Sequence, residues 1–205
     1  NNIVAVSKQV NKKSKRLWLP NIDPIILVDN LVDKYNIQLT ENVEAILGEY
    51  DAPEKQEQGI LKYSFLNDGN TVIFGNDARE REMLLGSIIY STSTIYTTKD
   101  INYYIVDYGS ETLRKYEPLP QVGDIIFLDE DEKFNNLIKM INKELSKRKR
   151  LFADYGGEYT NYLKNSQDKN KLPIISIILN NFDGILEVYP DFTDDLIPIV
   201  RDCAR

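Results

Sequence analysis

The sequence predicts an α/β fold, a mostly parallel sheet flanked by helices, and three observations carry that expectation. From about Gly59 onward, short β-branched runs alternate with long amphipathic ones, the pattern of successive βαβ units. LPIISIIL (Leu172 to Leu179) is apolar on both faces, which is typical of a central strand in a parallel sheet. TVIFGND (Thr71 to Asp77) closes a short apolar stretch with a glycine and opens a helical pattern, the place where a phosphate-binding loop belongs.

The elements follow in order. The first 59 residues are broken by Pro20, Pro24 and Pro53 and read as a lead-in with a short helix near Leu31 to Asn36. They also offer an edge hairpin with the next strand, and DAPEKQEQG (Asp51 to Gly59) reads as an exposed loop. Residues 60–205 read as the core. ILKYSF (Ile60 to Phe65) alternates as a half-buried strand, LNDGN is a turn, and TVIF (Thr71 to Phe74) is a short strand. A helix over about Ala78 to Ser93 carries Met83, Leu84, Ile88 and Ile89 at helical spacing. INYYIVDYG (Ile101 to Gly109) and DIIFLDE (Asp124 to Glu130) are further strands. A long helix over about Glu130 to Phe152 places Phe134, Leu137, Ile138, Ile141, Leu145 and Phe152 on one stripe. Its acidic start and its basic finish, Lys147 to Arg150, match the helix dipole. Gly156 and Gly157 break it, a polar loop runs to Lys171, and the strongest strand follows. IPIVRDCAR reads as part of a helix after NNFDG.

Composition excludes several chemistries. The 205-residue chain has no histidine, which removes Ser-His-Asp triads and most zinc sites. A lone cysteine, Cys203, permits no internal disulfide. The net charge of −7 makes the chain a poor nucleic-acid binder despite basic residues in Lys8 to Arg16. No apolar run is long enough to span a bilayer, and no secretory signal opens the chain. The carboxylates of LDEDEK lack calcium-loop spacing, and no metal ligands are assigned.

Taken alone, NDARERE is better read as a capped helix start, with Asn76 or Asp77 as N-cap. The blocks taken together say more. GNTVIFGND, YYIVDYGS, LPQVGDIIFLDEDEK, ELSKRKRLF and LPIISIILNNFDGI, in that order over about Leu61 to Arg205, resemble the FtsK/SpoIIIE ATPase superfamily. They are most similar to the repeated cytoplasmic ATPase domains of EssC/EccC proteins, and their departures from the motifs suggest the last of the tandem domains. The resemblance implies a RecA-like P-loop fold, and the family sheet continues beyond IPIVRDCAR, so the fold is expected to stop short at its C-terminal end.

Carried over position by position, the resemblance puts Gly75 at the first glycine of the phosphate loop, with Asn76, Asp77, Ala78 and Arg79 following. Glu80 stands at the second glycine. Arg81 stands at the lysine, keeping the charge in a bulkier, forked form. Glu82 stands at the Ser/Thr whose hydroxyl would meet magnesium. Asn180 stands where an Asp would hold the metal shell, and Asn181 follows it; a neutral amide is no general base. Asp107 and Asp183 are the carboxylates nearest the same crevice. ATP and magnesium are the cofactors the family implies, and these departures argue against ordinary hydrolysis. The expected role is regulation, assembly or substrate engagement in a type VII secretion motor at the cytoplasmic face of the bacterial membrane. The family implies neighbouring ATPase domains of the same chain and small helical secreted proteins as partners, and a homo-oligomer is open. Membrane contact would come only through parts of the protein outside this sequence. Residual ATP binding or hydrolysis is the alternative, and a DNA translocase is disfavoured by the acidic charge.

Overall fold

The computed structural model describes residues 18–166 and 171–203, so the basic segment Lys8 to Arg16 lies outside the described residues. The helix α1 (Val28–Lys34) is short and buries Leu31. A two-stranded antiparallel hairpin follows, β1 (Glu44–Ala52) with β2 (Glu57–Ser64). A 3-10 turn at Pro53–Lys55 joins the strands, and Gln56 takes a left-handed φ of 51° to close it. Gly59 and Ile60, where lead-in and core were expected to meet, lie in the middle of β2 opposite Tyr50 and Glu49. The hairpin is tied to the helix α2 (Ala78–Ile95): the Ile46 backbone N–H donates to Ser91 Oγ at 3.0 Å, and the Tyr96 hydroxyl just past the helix donates to the Asn42 carbonyl at 2.9 Å.

The main sheet has three parallel strands in the order β4-β3-β5, namely β4 (Val122–Phe127), β3 (Ile101–Asp107) and β5 (Ile174–Asn180). The pleat sends alternate residues of β3 to opposite faces. Ile101, Tyr103 and Ile105 pack with Ile89, Tyr96, Ile125 and Phe127 on the α2 side. Val106 joins Ile126 on the other side with Phe134, Leu137 and Ile141 of α3 (Asp131–Ala153), Ile185 of α5 (Phe182–Val188) and Ile199 of α6 (Phe192–Cys203). The sheet is thus sandwiched between helices, as expected of an α/β fold.

Four expectations need correction. The middle strand among the described residues is β3 rather than LPIISIIL, because β5 pairs with β3 alone and most of its residues stay half-buried. TVIF forms no strand: residues 71–77 run without regular structure, and Val72 and Phe74 are 74% and 90% exposed. β-propensity alone does not make a strand; a ladder partner must take the N–H and C=O groups, and none of the described strands pairs with this segment. Its anchor is instead a side chain, Asn70 Nδ2, which donates to the Val200 carbonyl of α6 at 3.0 Å. The expected polar loop after Gly157 contains a helix, α4 (Tyr159–Asn165). Its Tyr162 packs at 5.2 Å from Phe152 and 5.3 Å from Tyr155, centroid to centroid, and that aromatic burial drives a segment whose polar residues suggested a loop. Finally, the buried stripe of α2 is Glu82, Gly86 and Ile89, whereas Met83 is 64% exposed. Ile89 is buried as expected and Leu84 and Ile88 are half-buried, but the inward face also carries a carboxylate.

Candidate functional site

The carboxyl ends of β3 and β5 are adjacent, with Asp107 opposite Asn180 in the register. In an open parallel sheet this is where ligands are received. The N-terminal turns of α2 face the same ends. Asp77 caps α2, its carboxylate accepting from the Arg79 N–H at 2.8 Å, so the capped-start reading of NDARERE holds with Asp77 as the cap. Gly75 through Glu80 are exposed. Arg81 folds back and donates from Nη1 to the carbonyl of Gly75, which turns its guanidinium onto the loop itself.

Glu82 goes the other way. It is 8% exposed and reaches into the crevice between the strand ends. Its carboxylate accepts from Ser110 Oγ at 2.7 and 2.8 Å, from Thr112 Oγ1 at 2.7 Å and from Asn180 Nδ2 at 3.2 Å. The same Asn180 amide donates to Asp107 Oδ1 at 2.8 Å. Asp107, 1% exposed, also accepts from the backbone N–H groups of Gly109 at 3.1 Å and Leu113 at 3.3 Å. One amide thus bridges two buried carboxylates, and all remaining demands are met by hydroxyls and backbone donors. Gly109 is what lets the cluster close: a Cβ there would meet Asn180 Nδ2 at 2.8 Å and Glu82 Oε1 at 3.0 Å.

The electrostatics follow from that geometry. Burial pushes the Glu82 carboxyl up, but the hydrogen bonds from Thr112, Ser110 and Asn180 together outweigh it and hold the group below its ordinary 4.5. A group with a depressed folded value contributes stability that is present above the ordinary value and lost as pH falls through the folded one. Glu82→Gln is therefore expected to flatten the acid limb of the stability profile below about pH 4.5, as urea midpoints across pH would show.

The structure brings Glu82, Asp107 and Asn180 together. It does not bring in the others. Asn181 takes a left-handed φ of 61° and donates from Nδ2 to the Tyr108 carbonyl at 2.9 Å, a turn-forming role between β5 and α5. Asp183 is an exposed residue in the first turn of α5. Ser110 and Thr112 are the residues that sequence reasoning missed; two hydroxyls two positions apart, just past the strand end of YYIVDYGS, were the available signal. Among the described residues, no three acidic, cysteine or histidine side chains gather to hold a metal ion, and the two buried carboxylates already have protein donors.

No protein-family model matches the chain. The chain is 33% identical over 201 residues to the ESX secretion system protein EccC of Geobacillus thermodenitrificans, covering 98% of this chain and 13% of that protein. The chain belongs with the EssC/EccC type VII secretion proteins. Among solved structures, EssC (ATPases 2 and 3) from Geobacillus thermodenitrificans superposes with a TM-score of 0.72 at 30% identity, covering 90% of this chain and 34% of that one. The cytoplasmic domain of EssC gives 0.68 at 31% identity over 78% of this chain and 30% of that one. Thermomonospora curvata EccC (ATPases 2 and 3) in complex with a signal sequence peptide gives 0.67 at 17% identity, over 76% of this chain and 29% of that one, a likeness of fold. The α/β architecture is thus that of the EssC/EccC ATPase domains, and this EssC/EccC relative spans about an eighth of the length of the EccC protein it matches.

Proposed function

We propose that this chain is an ATPase-derived domain of a type VII secretion motor whose nucleotide crevice is filled by its own carboxylate. Its work would be regulation, assembly or substrate engagement rather than turnover. The observation that carries the reading is Glu82, which stands where a magnesium-binding hydroxyl would be and is held in the crevice by Ser110, Thr112 and Asn180. Magnesium nucleotide fits these residues poorly: a buried carboxylate pair repels a triphosphate, and the nearby cation, Arg81, is turned onto Gly75. Asn180 offers an amide in place of the carboxylate that would hold the metal shell, and an amide takes no proton from water.

The family resemblance supports the setting: neighbouring ATPase domains of the same protein, secreted proteins as substrates, and a place at the cytoplasmic face of the membrane. A related fold has been seen with a signal sequence peptide, which supports substrate engagement as one of the roles. Among the described residues no helix is long and apolar enough to cross a membrane. A phosphate-release assay tests the reading. It should give the buffer rate for the chain and for Arg81→Ala alike; turnover that disappears in Arg81→Ala would defeat it.

A further inference from the structure

The helix α2 ends without a basic side chain or a glycine to close it. Its last turn holds no basic residue, and Tyr96, which follows it, is extended, so its final carbonyls need donors from elsewhere. Gln121, just before β4 and 6% exposed, supplies them. Its amide donates from Nε2 to the Tyr96 carbonyl at 2.6 Å and to the Ser93 carbonyl at 3.2 Å. Its backbone carbonyl meanwhile accepts from the Tyr103 N–H of β3 at 2.7 Å. The two side-chain bonds fix the direction of the amide, because the reversed amide would set Oε1 against two carbonyl oxygens. That direction leaves Oε1 buried with no protein donor, and the Ser93 hydroxyl is buried without a protein partner as well. Among the described residues these are the two buried side-chain polar atoms left so, and they belong to residues already bonded to each other. Other hydroxyls of α2 are placed: Ser87 donates to the Met83 carbonyl at 3.0 Å, Thr94 to that of Tyr90 at 2.9 Å. Ser93 is denied the same bond one turn back, since the Ile89 carbonyl already takes the Thr92 hydroxyl at 3.1 Å beside its place in the helix ladder.

We propose that one buried water molecule binds between Ser93 Oγ and Gln121 Oε1, donating to the amide oxygen and sharing a second hydrogen bond with the hydroxyl. Buried polar atoms are rarely left unpaired, and a polar site with two or more partners is where an internal water is held. Water matches the chemistry: Gln121 Oε1 can only accept, and the hydroxyl can give or take. A bare cation matches it poorly, because the Ser93 and Tyr96 carbonyls that would complete its shell already face the Gln121 N–H groups. The bound water makes Gln121 a fully satisfied cap that also grips β3. The helix is then held to the sheet at both ends, by Glu82 on Asn180 at its start and by Gln121 at its finish.

Magnetic relaxation dispersion of the water oxygen counts long-lived internal waters in solution, and it tests this on the 205-residue chain. The variant Ser93→Ala, with circular dichroism as the check on folding, should hold one such water fewer than the parent. A crystal structure of the parent gives the place: a single peak is expected at about 3 Å from both oxygens, and it should vanish in Ser93→Ala while Gln121 stays on its two carbonyls. An equal count in parent and variant would overturn the proposal. So would a parent structure in which the Ser93 hydroxyl bonds Gln121 Oε1 directly, or a peak ringed by oxygens at about 2.4 Å, the spacing of a metal ion.

Discussion

Asn180→Asp is expected to destabilise the folded chain by about 2–4 kcal/mol at neutral pH, although the family resemblance would place an aspartate there. The Asn180 amide donates to Glu82 at 3.2 Å and to Asp107 at 2.8 Å. Aspartate in its place removes both hydrogen bonds and sets a third carboxylate against two buried ones. The loss should shrink as pH falls, since one of the three carboxyls then takes a proton and can donate. It should also shrink when Glu82→Thr is added, because the short hydroxyl removes one charge and leaves the introduced aspartate a single acidic neighbour, Asp107. Urea denaturation of the single and double variants reads the coupling directly. If Asn180→Asp alone is as stable as the parent, the two carboxylates are not held by that amide and the account of the crevice fails.

Phe134→Ala is expected to cost more, about 3–5 kcal/mol. The ring is 3% exposed and stacks on Tyr189 at 4.2 Å and an interplanar angle of 2°, with Phe192 edge-on at 5.2 Å. It is the point where α3, the end of α5 and the start of α6 meet on the face of the sheet opposite α2. Removing it opens a cavity among rings that cannot collapse onto one another without moving those helices. Phe134→Leu fills part of the same volume and should lose less than half as much in the same thermal or urea melts. Equal losses for the two variants would mean that the ring contacts, and not the filled volume, carry the whole effect.

The long helix α3 was legible because its apolar residues recur over many turns, and a sustained period outweighs local noise. β3 and β4 were legible for a related reason: each is a compact apolar run bounded by polar residues. The hydrophobicity of LPIISIIL pointed to a strand correctly, but it could not say which strand lies in the middle, since pairing partners are set by topology. TVIF shows the same limit more sharply. Its composition favours a strand, and its backbone finds no ladder among the described residues. In the crevice, the sequence pointed to Glu82, Asn180 and Asp107 by position. What it hid was direction: every charged residue of the run ARERE could face solvent, and only the packing of Ile89 into the core and of Gly86 against Tyr116 decides that Glu82 is the one turned in. Ser110 and Thr112 were invisible because hydroxyls past a strand end are common, and their meaning depends on the acid they face.

The measurement that tests the central claim most directly is a calorimetric titration of the chain with ATP, with and without magnesium. A crevice filled by Glu82 predicts no binding heat at millimolar nucleotide under either condition. Saturable binding in the micromolar range, strengthened by magnesium and lost in Arg81→Ala, would contradict it and would mean that Glu82 yields its place to phosphate.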